Sequence, residues 1–207
     1  MSLPVAPQEA FDLAMHHNEA ESHEPMQGMA SLRLSQGNPA EASQLMTSAY
    51  ERIVSSAVPV EPEARLAAAR LLLECAPHAA SCADAALDLL ANLMREDDEN
   101  IEVWFLMGVG FFQQSPPDLA LSTEYLVGAQ TMLGKVRESM GGQSLGAESF
   151  PYAEQVRLVE EQLILVEEHR KVHGDGGDEE GEEGPQEGVV NGDGGIGSGG
   201  ALEMEDR

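Results

Sequence analysis

The residues best suited to chemistry are Cys75, His78 and Cys82, spaced Cys-x2-His-x3-Cys, with His16, His17 and His23 available as a fourth ligand. Thiolate and imidazole are the donors zinc prefers, and four of them close a tetrahedral site. Cys75 and Cys82 also read as the end of one helix and the start of the next, where cysteine packs as a small apolar side chain. That second reading is preferred, so neither a metal nor any other cofactor is expected. His16-His17 and His169-x3-His173 have no nucleophile beside them, and no Gly-x-Ser-x-Gly, phosphate loop or dinucleotide fingerprint occurs. The chain is not expected to be an enzyme.

Binding chemistry has better candidates. Glu96, Asp97, Asp98 and Glu99 are consecutive, and they run almost directly into Trp104-x2-Met107-Gly108-x2-Phe111. A charge run is most often a solvated turn, yet adjacent like charges repel, and a basic partner would supply their counter-charge. On a helix, Glu102, Phe105, Val109 and Phe112 fall on one stripe, apart from Trp104 and Phe111, which are assigned to packing. The candidate partner-binding residues are therefore Glu96, Asp97, Asp98, Glu99, Glu102, Phe105 and Phe112.

The charge balance points the same way. The chain has 37 Asp and Glu against 11 Lys and Arg, a formal net charge of −26. Such a field repels nucleic-acid phosphates and anionic headgroups, and speeds encounter with a basic protein at low salt. No direct nucleic-acid or membrane partner is expected, and the longest apolar run, Val103 to Phe112, falls short of the roughly 20 residues a bilayer requires. Two cysteines, and an N-terminus MSLPVAPQEAF without a basic or long apolar stretch, suggest a reducing intracellular setting. His169-Arg170-Lys171 is too small a basic cluster to act as a nuclear address.

The elements that must carry these residues read as helices. Aromatics at 4% within 42% hydrophobic residues favour helices packed through small residues over a β-sandwich. Apolar steps of three and four place helices after Pro39 (Ala42, Leu45, Met46, Ala49, Tyr50, Ile53), over Ala64–Glu74, and after Ser81 or Asp84 as a cap (Ala83, Ala86, Leu87, Leu90, Leu93). Further helices are expected over Ile101–Gln113, from Leu119 to about Leu133, and over Tyr152–Val172, the last with Val156, Val159, Leu163 and Val166 inward. Residues 1–23 are expected to be flexible, with a possible helix start at Phe11 to Met15, and 174–207, rich in Gly, Glu and Asp, to be a disordered acidic tail.

Internal repetition is visible. The pattern Gly-x4-Ala-x3-large-x2-Ala of a tetratricopeptide second helix fits Gly37, Ala42, Met46 and Ala49 in full. It fits Ala86, Leu90 and Leu93 in part, and Leu121, Tyr125 and Gly128 more loosely. The first-helix pattern appears once, as Trp104, Met107, Gly108 and Phe111. Ala42 and Ala86 are 44 residues apart and Ala86 and Leu121 are 35 apart, against a regular period of about 34. The expected fold is all-α: a tetratricopeptide-like α-solenoid of about three helix pairs plus a C-terminal helix, spanning residues 24–173, and monomeric.

The run Leu93-Met-Arg-Glu-Asp-Asp-Glu-Asn-Ile-Glu-Val-Trp-Phe-Leu-Met-Gly, with the helix carrying Tyr125-Leu126-x2-Ala129 and the acidic C-terminal region, resembles the C-terminal half of the tetratricopeptide assembly chaperones of the L-four family of large-subunit ribosomal proteins. The likeness covers Pro39 to Leu133, and Glu-Asp-Asp-x3-Glu-Val-Trp is its most specific part. It implies a dedicated chaperone that holds the long basic loop of a nascent ribosomal protein on its concave surface and accompanies it from cytoplasm to nucleus. The alternative is a general tetratricopeptide scaffold of another multiprotein complex. A carboxylate clamp for peptide C-termini would need Lys, Arg and Asn on the groove-lining helices, and Glu102 with its apolar neighbours supplies none.

Overall fold

In the computed structural model, the described residues are 22–141 and 150–174. They form seven helices and no strand: α1 Glu24–Ser35, α2 Pro39–Ser55, α3 Pro62–Cys75, α4 Ser81–Glu96, α5 Ile101–Gln113, α6 Leu119–Ser139 and α7 Ala153–His173. The expected all-α class is thus observed. The helix start near Phe11, the flexible stretch over 1–21 and the acidic tail from 175 lie outside the described residues.

Local chemistry sets the boundaries. Gly37, at φ +72°, ends α1 in the left-handed region that a Cβ disfavours, and Pro39 then opens α2 in the first turn, where its missing N–H costs nothing. Asn100 caps α5 by accepting from the backbone N–H groups of Glu102 and Val103, and Asp118 caps α6 through Leu121. Neither Ser81 nor Asp84 caps α4. Its N-cap is Ala80 with no side-chain bond, and Asp84 instead accepts from Gln114 at 2.8 Å.

Each helix packs on the one that follows it, and α1 with α3, α2 with α4, α3 with α5 and α5 with α7 also touch. Among the described residues no pair further apart in sequence does so. One continuous apolar core runs from α1 to α5, and two smaller clusters join α6 to α7 through Leu119, Leu126 and Val166 and through Ala129, Leu133 and Val159.

Three features differ from the sequence expectation. Helix α1 is not delimited by the sequence pattern, because its apolar residues are spread around the helix rather than along one stripe; Met26, Met29 and Ala30 nevertheless bury against its neighbours. Helix α6 runs six residues past Leu133, to Ser139, through the exposed Gly134 that looks like a stop. Its buried register is Ser122, Leu126 and Ala129, one residue later than Leu121, Tyr125 and Gly128. The small-x3-large-x2-small pattern is thereby better kept, with Ser122 as the small residue and its hydroxyl donating to the Gly108 carbonyl at 2.8 Å.

Cys75 and Cys82 are buried free thiols in the main core, while His78 is exposed, so the three do not converge. No group of three or more metal-ligating side chains comes together among the described residues. Burial pushes the Cys75 thiol up to about 11, against a smaller opposing effect of its hydrogen bond with Ser43. At pH 8 about one Cys75 in a thousand is then a thiolate, the form that reacts. Alkylation of the native protein at pH 8 is expected to be at least tenfold slower than in 8 M urea, and equal rates would contradict this burial.

Candidate functional site

The acidic run forms the link between α4 and α5. Glu96 is the last residue of α4, Asp97 is its extended C-cap, and the Asp97 carboxylate accepts from the Glu99 N–H at 3.0 Å to make a tight local turn. The four like charges have intramolecular reasons to persist. Arg65 of α3 donates to both carboxylate oxygens of Glu96, at 2.8 and 2.6 Å, and so offsets the unfavourable position of an anion at a helix C-terminus. Asp98 and Glu99 precede the N-terminus of α5, where the exposed backbone N–H groups favour negative charge. All four acidic residues are exposed.

The Arg65 hydrogen bond holds the Glu96 carboxyl below its usual range. A carboxylate with a depressed folded pKa contributes stability above its unfolded value, and that contribution is lost as pH falls through the folded pKa. Glu96→Gln should therefore lower the thermal midpoint at pH 7, and the difference from wild type should close as pH falls well below about 4. The same difference at pH 3 as at pH 7 would show that the charge is not what holds the pair.

Below the turn, a cavity of about 600 Å³ opens between α3, α5, the end of α6 and the start of α7. Its wall contains Glu99, Glu102 and Phe105 of the expected set, together with Arg70, Leu133, Tyr152 and Leu158. Glu102 accepts from Arg70 Nε at 2.5 Å. The cavity does contain an arginine and an asparagine, Arg70 and Asn100, contrary to the expectation that the groove has neither. Both are committed, however: Arg70 to Glu102, and the Asn100 side-chain oxygen to the α5 cap.

A second cavity, of about 760 Å³, lies on the α5/α6 side of the same turn, and its wall combines Asp98, Glu99, Glu124 and Lys135 with Trp104, Val127 and Met132. Glu99 borders both cavities. Trp104 donates from Nε1 to the Asp98 carbonyl at 2.7 Å, which ties the turn to the helix pair beneath it.

The seven expected residues thus separate. Glu99, Glu102 and Phe105 meet at the first cavity, and Asp98 joins Glu99 at the second. Glu96 lines a smaller recess with Arg65, Asp88 and Asn92, and Asp97 is spent on the turn. Phe105 touches all three apolar clusters, and Phe112 packs under α7 against Leu119, Leu126 and Val166, with His169 edge-on at 5.6 Å.

Sequence reasoning missed the contributions from other helices. Arg65 and Glu96 are 31 residues apart and Arg70 and Glu102 are 32 apart, so a search for opposite charges one repeat apart would have found both pairs. Tyr152, at the N-cap of α7, and Leu158, outside the inward set Val156, Val159, Leu163 and Val166, reach the cavity as well. No protein-family model and no curated protein matches the chain.

Proposed function

We propose that this chain is a tetratricopeptide-like chaperone that holds a Lys/Arg-rich segment of a ribosomal protein and supports assembly of the large ribosomal subunit, working in cytoplasm and nucleus. In this reading α1/α2, α3/α4 and α5/α6 are the helix pairs of an α-solenoid, α7 continues it, and the first cavity belongs to the concave surface lined by α3, α5 and α7. The succession of packed neighbours and the small residues at the α5/α6 contact support the solenoid.

The observation that carries the functional reading is the pairing of exposed carboxylates with apolar cavities at one turn. Asp98 and Glu99 have no ion-pair partner among the described residues; Glu99 lines the first cavity with Phe105 and Leu133, and both line the second with Trp104 and Val127. A segment with Lys or Arg beside apolar side chains satisfies both at once. Its pairing is screened by salt, so capture is fast at low ionic strength and reversible.

Mass spectrometry of what co-purifies with the full chain at low salt tests this reading. A basic ribosomal protein, released as salt is raised, is the expected result. Recovery of acidic partners, or of a salt-insensitive assembly without a basic member, would favour the general scaffold instead.

A further inference from the structure

The outward face of α7 is not the uniformly wet surface that its glutamates suggest. Leu158, Leu165 and Val172 are 39%, 48% and 73% exposed, and Ile164 is 57% exposed. Leu158, Leu165 and Val172 recur every seven residues, so they form one line along the helix. Glu154, Glu161 and Glu168 recur with the same period and form a second line beside it, with Ile164 on the far side. The buried face, Val159 and Val166, points the other way, into α6. The apolar line is therefore not needed to hold α7 in place.

Among the described residues nothing packs on this face, and in a row of stacked helices it is the surface on which a further helix would sit. Charge decides what could occupy it. Arg157 bonds to Glu154 and Glu161, whereas Glu168 and Glu160 make no ion pair among the described residues. The sequence that follows, residues 175–207, is rich in Asp and Glu with Arg207 as its only basic residue, so its composition does not supply the counter-charge. A second copy would bring the same carboxylate line against this one.

We propose that the Leu158–Leu165–Val172 face of α7 docks a basic amphipathic helix of a partner protein: leucine, isoleucine or valine at heptad spacing fills the apolar line, and flanking Lys and Arg meet Glu168 and the Glu154–Arg157–Glu161 group, which keeps a net negative charge. The line from Leu158 to Val172 is about 21 Å long, at about 1.5 Å per residue, which matches a partner helix of about 15 residues. Leu158, at the start of the line, also lines the first cavity, whose wall Leu165 and Val172 do not join.

The test uses the full chain and a fluorescein-labelled 18-residue synthetic helix with Leu at heptad positions and Lys at the flanks, read by anisotropy. Binding is expected, and Leu165→Ser with Val172→Ser should weaken it at least about tenfold. Glu168→Lys, which breaks no ion pair among the described residues, should weaken it and flatten its salt dependence. These side chains are exposed, so circular dichroism and the melting temperature should remain those of wild type.

Asp98→Lys, which alters only the second cavity, should leave this binding unchanged, so the two readings can fail separately. The proposal is overturned if a scrambled peptide of equal charge binds as well, or if the serine variant binds like wild type. It is overturned as well if sedimentation shows a wild-type dimer that Leu165→Ser dissociates.

Discussion

Leu126→Ala is expected to lower folding stability by about 3 to 4 kcal/mol, and Gly108→Ala by about 1 to 2 kcal/mol, with the double variant losing clearly less than the sum. Leu126 is fully buried in α6, directly against the backbone of α5. A Cβ placed on Gly108 would lie 2.5 Å from Leu126 Cγ and 3.1 Å from the Ser122 carbonyl oxygen. Neither atom is the free end of a flexible side chain, so the helices must separate. The gain in helix propensity from glycine to alanine, about 1 kcal/mol, offsets only part of this cost. With alanine at 126 the obstructing atoms are gone, and the new methyl group enters the space they leave. Urea unfolding of the four proteins gives the coupling directly, and strict additivity would mean that the two residues do not share this contact.

The second large effect is on binding. Asp98→Lys with Glu99→Lys should reduce affinity for a Lys/Arg-rich peptide by about tenfold to a hundredfold at low salt. An exposed ion pair contributes about 0.2 to 1 kcal/mol, and reversing a charge replaces attraction with repulsion at each position. Fluorescence anisotropy with a labelled basic peptide, at 50 mM and 500 mM salt, would show the difference shrinking as screening increases. Unchanged affinity, or a loss that salt does not alter, would remove the acidic turn from recognition. Reversal at these two positions breaks no ion pair among the described residues, and its cost at the α5 N-terminus is read separately as a shift in melting temperature. Asp98 holds Trp104 through its main-chain carbonyl, and no ion pair restrains Glu99 among the described residues. Charge reversal at Glu96 would instead break the Arg65 pair and confound the two effects.

Much of the helical architecture is legible in the sequence, because repeated packing leaves a strong period. Ala42, Met46, Ala49, Ala86, Leu90 and Leu93 are all buried as their spacing predicts, and α5 begins and ends where its cap and its proline turn require. Legibility fails where the period weakens. The apolar residues of α1, Met26, Met29, Ala30, Leu32 and Leu34, do not keep to one side of the helix and leave no clean stripe, and at Leu121, Tyr125 and Gly128 a loosely matching pattern hid the better one, which contains a serine. A buried serine is not an apolar signal; it becomes intelligible only once its bond to the Gly108 carbonyl is seen.

The candidate site is less legible, since it is assembled from distant segments. Residue type identified the acidic turn and the Glu102–Phe105 face, but spacing along one helix cannot reveal Arg65, Arg70, Tyr152 or Leu158 converging from other helices. Nor could it separate Phe105, on a cavity wall, from Phe112, which packs beneath α7.

Trp104 is the only tryptophan in the chain, and it sits half-buried in the wall of the cavity that Asp98 and Glu99 also line. Its indole N–H is bonded to the turn, and its ring lies against Gly128, where even a methyl group would come within 2.4 Å of it. The protein thus carries a built-in optical reporter: a side chain laid over that ring changes the polarity around the indole, and with it the wavelength of emission, with no label attached.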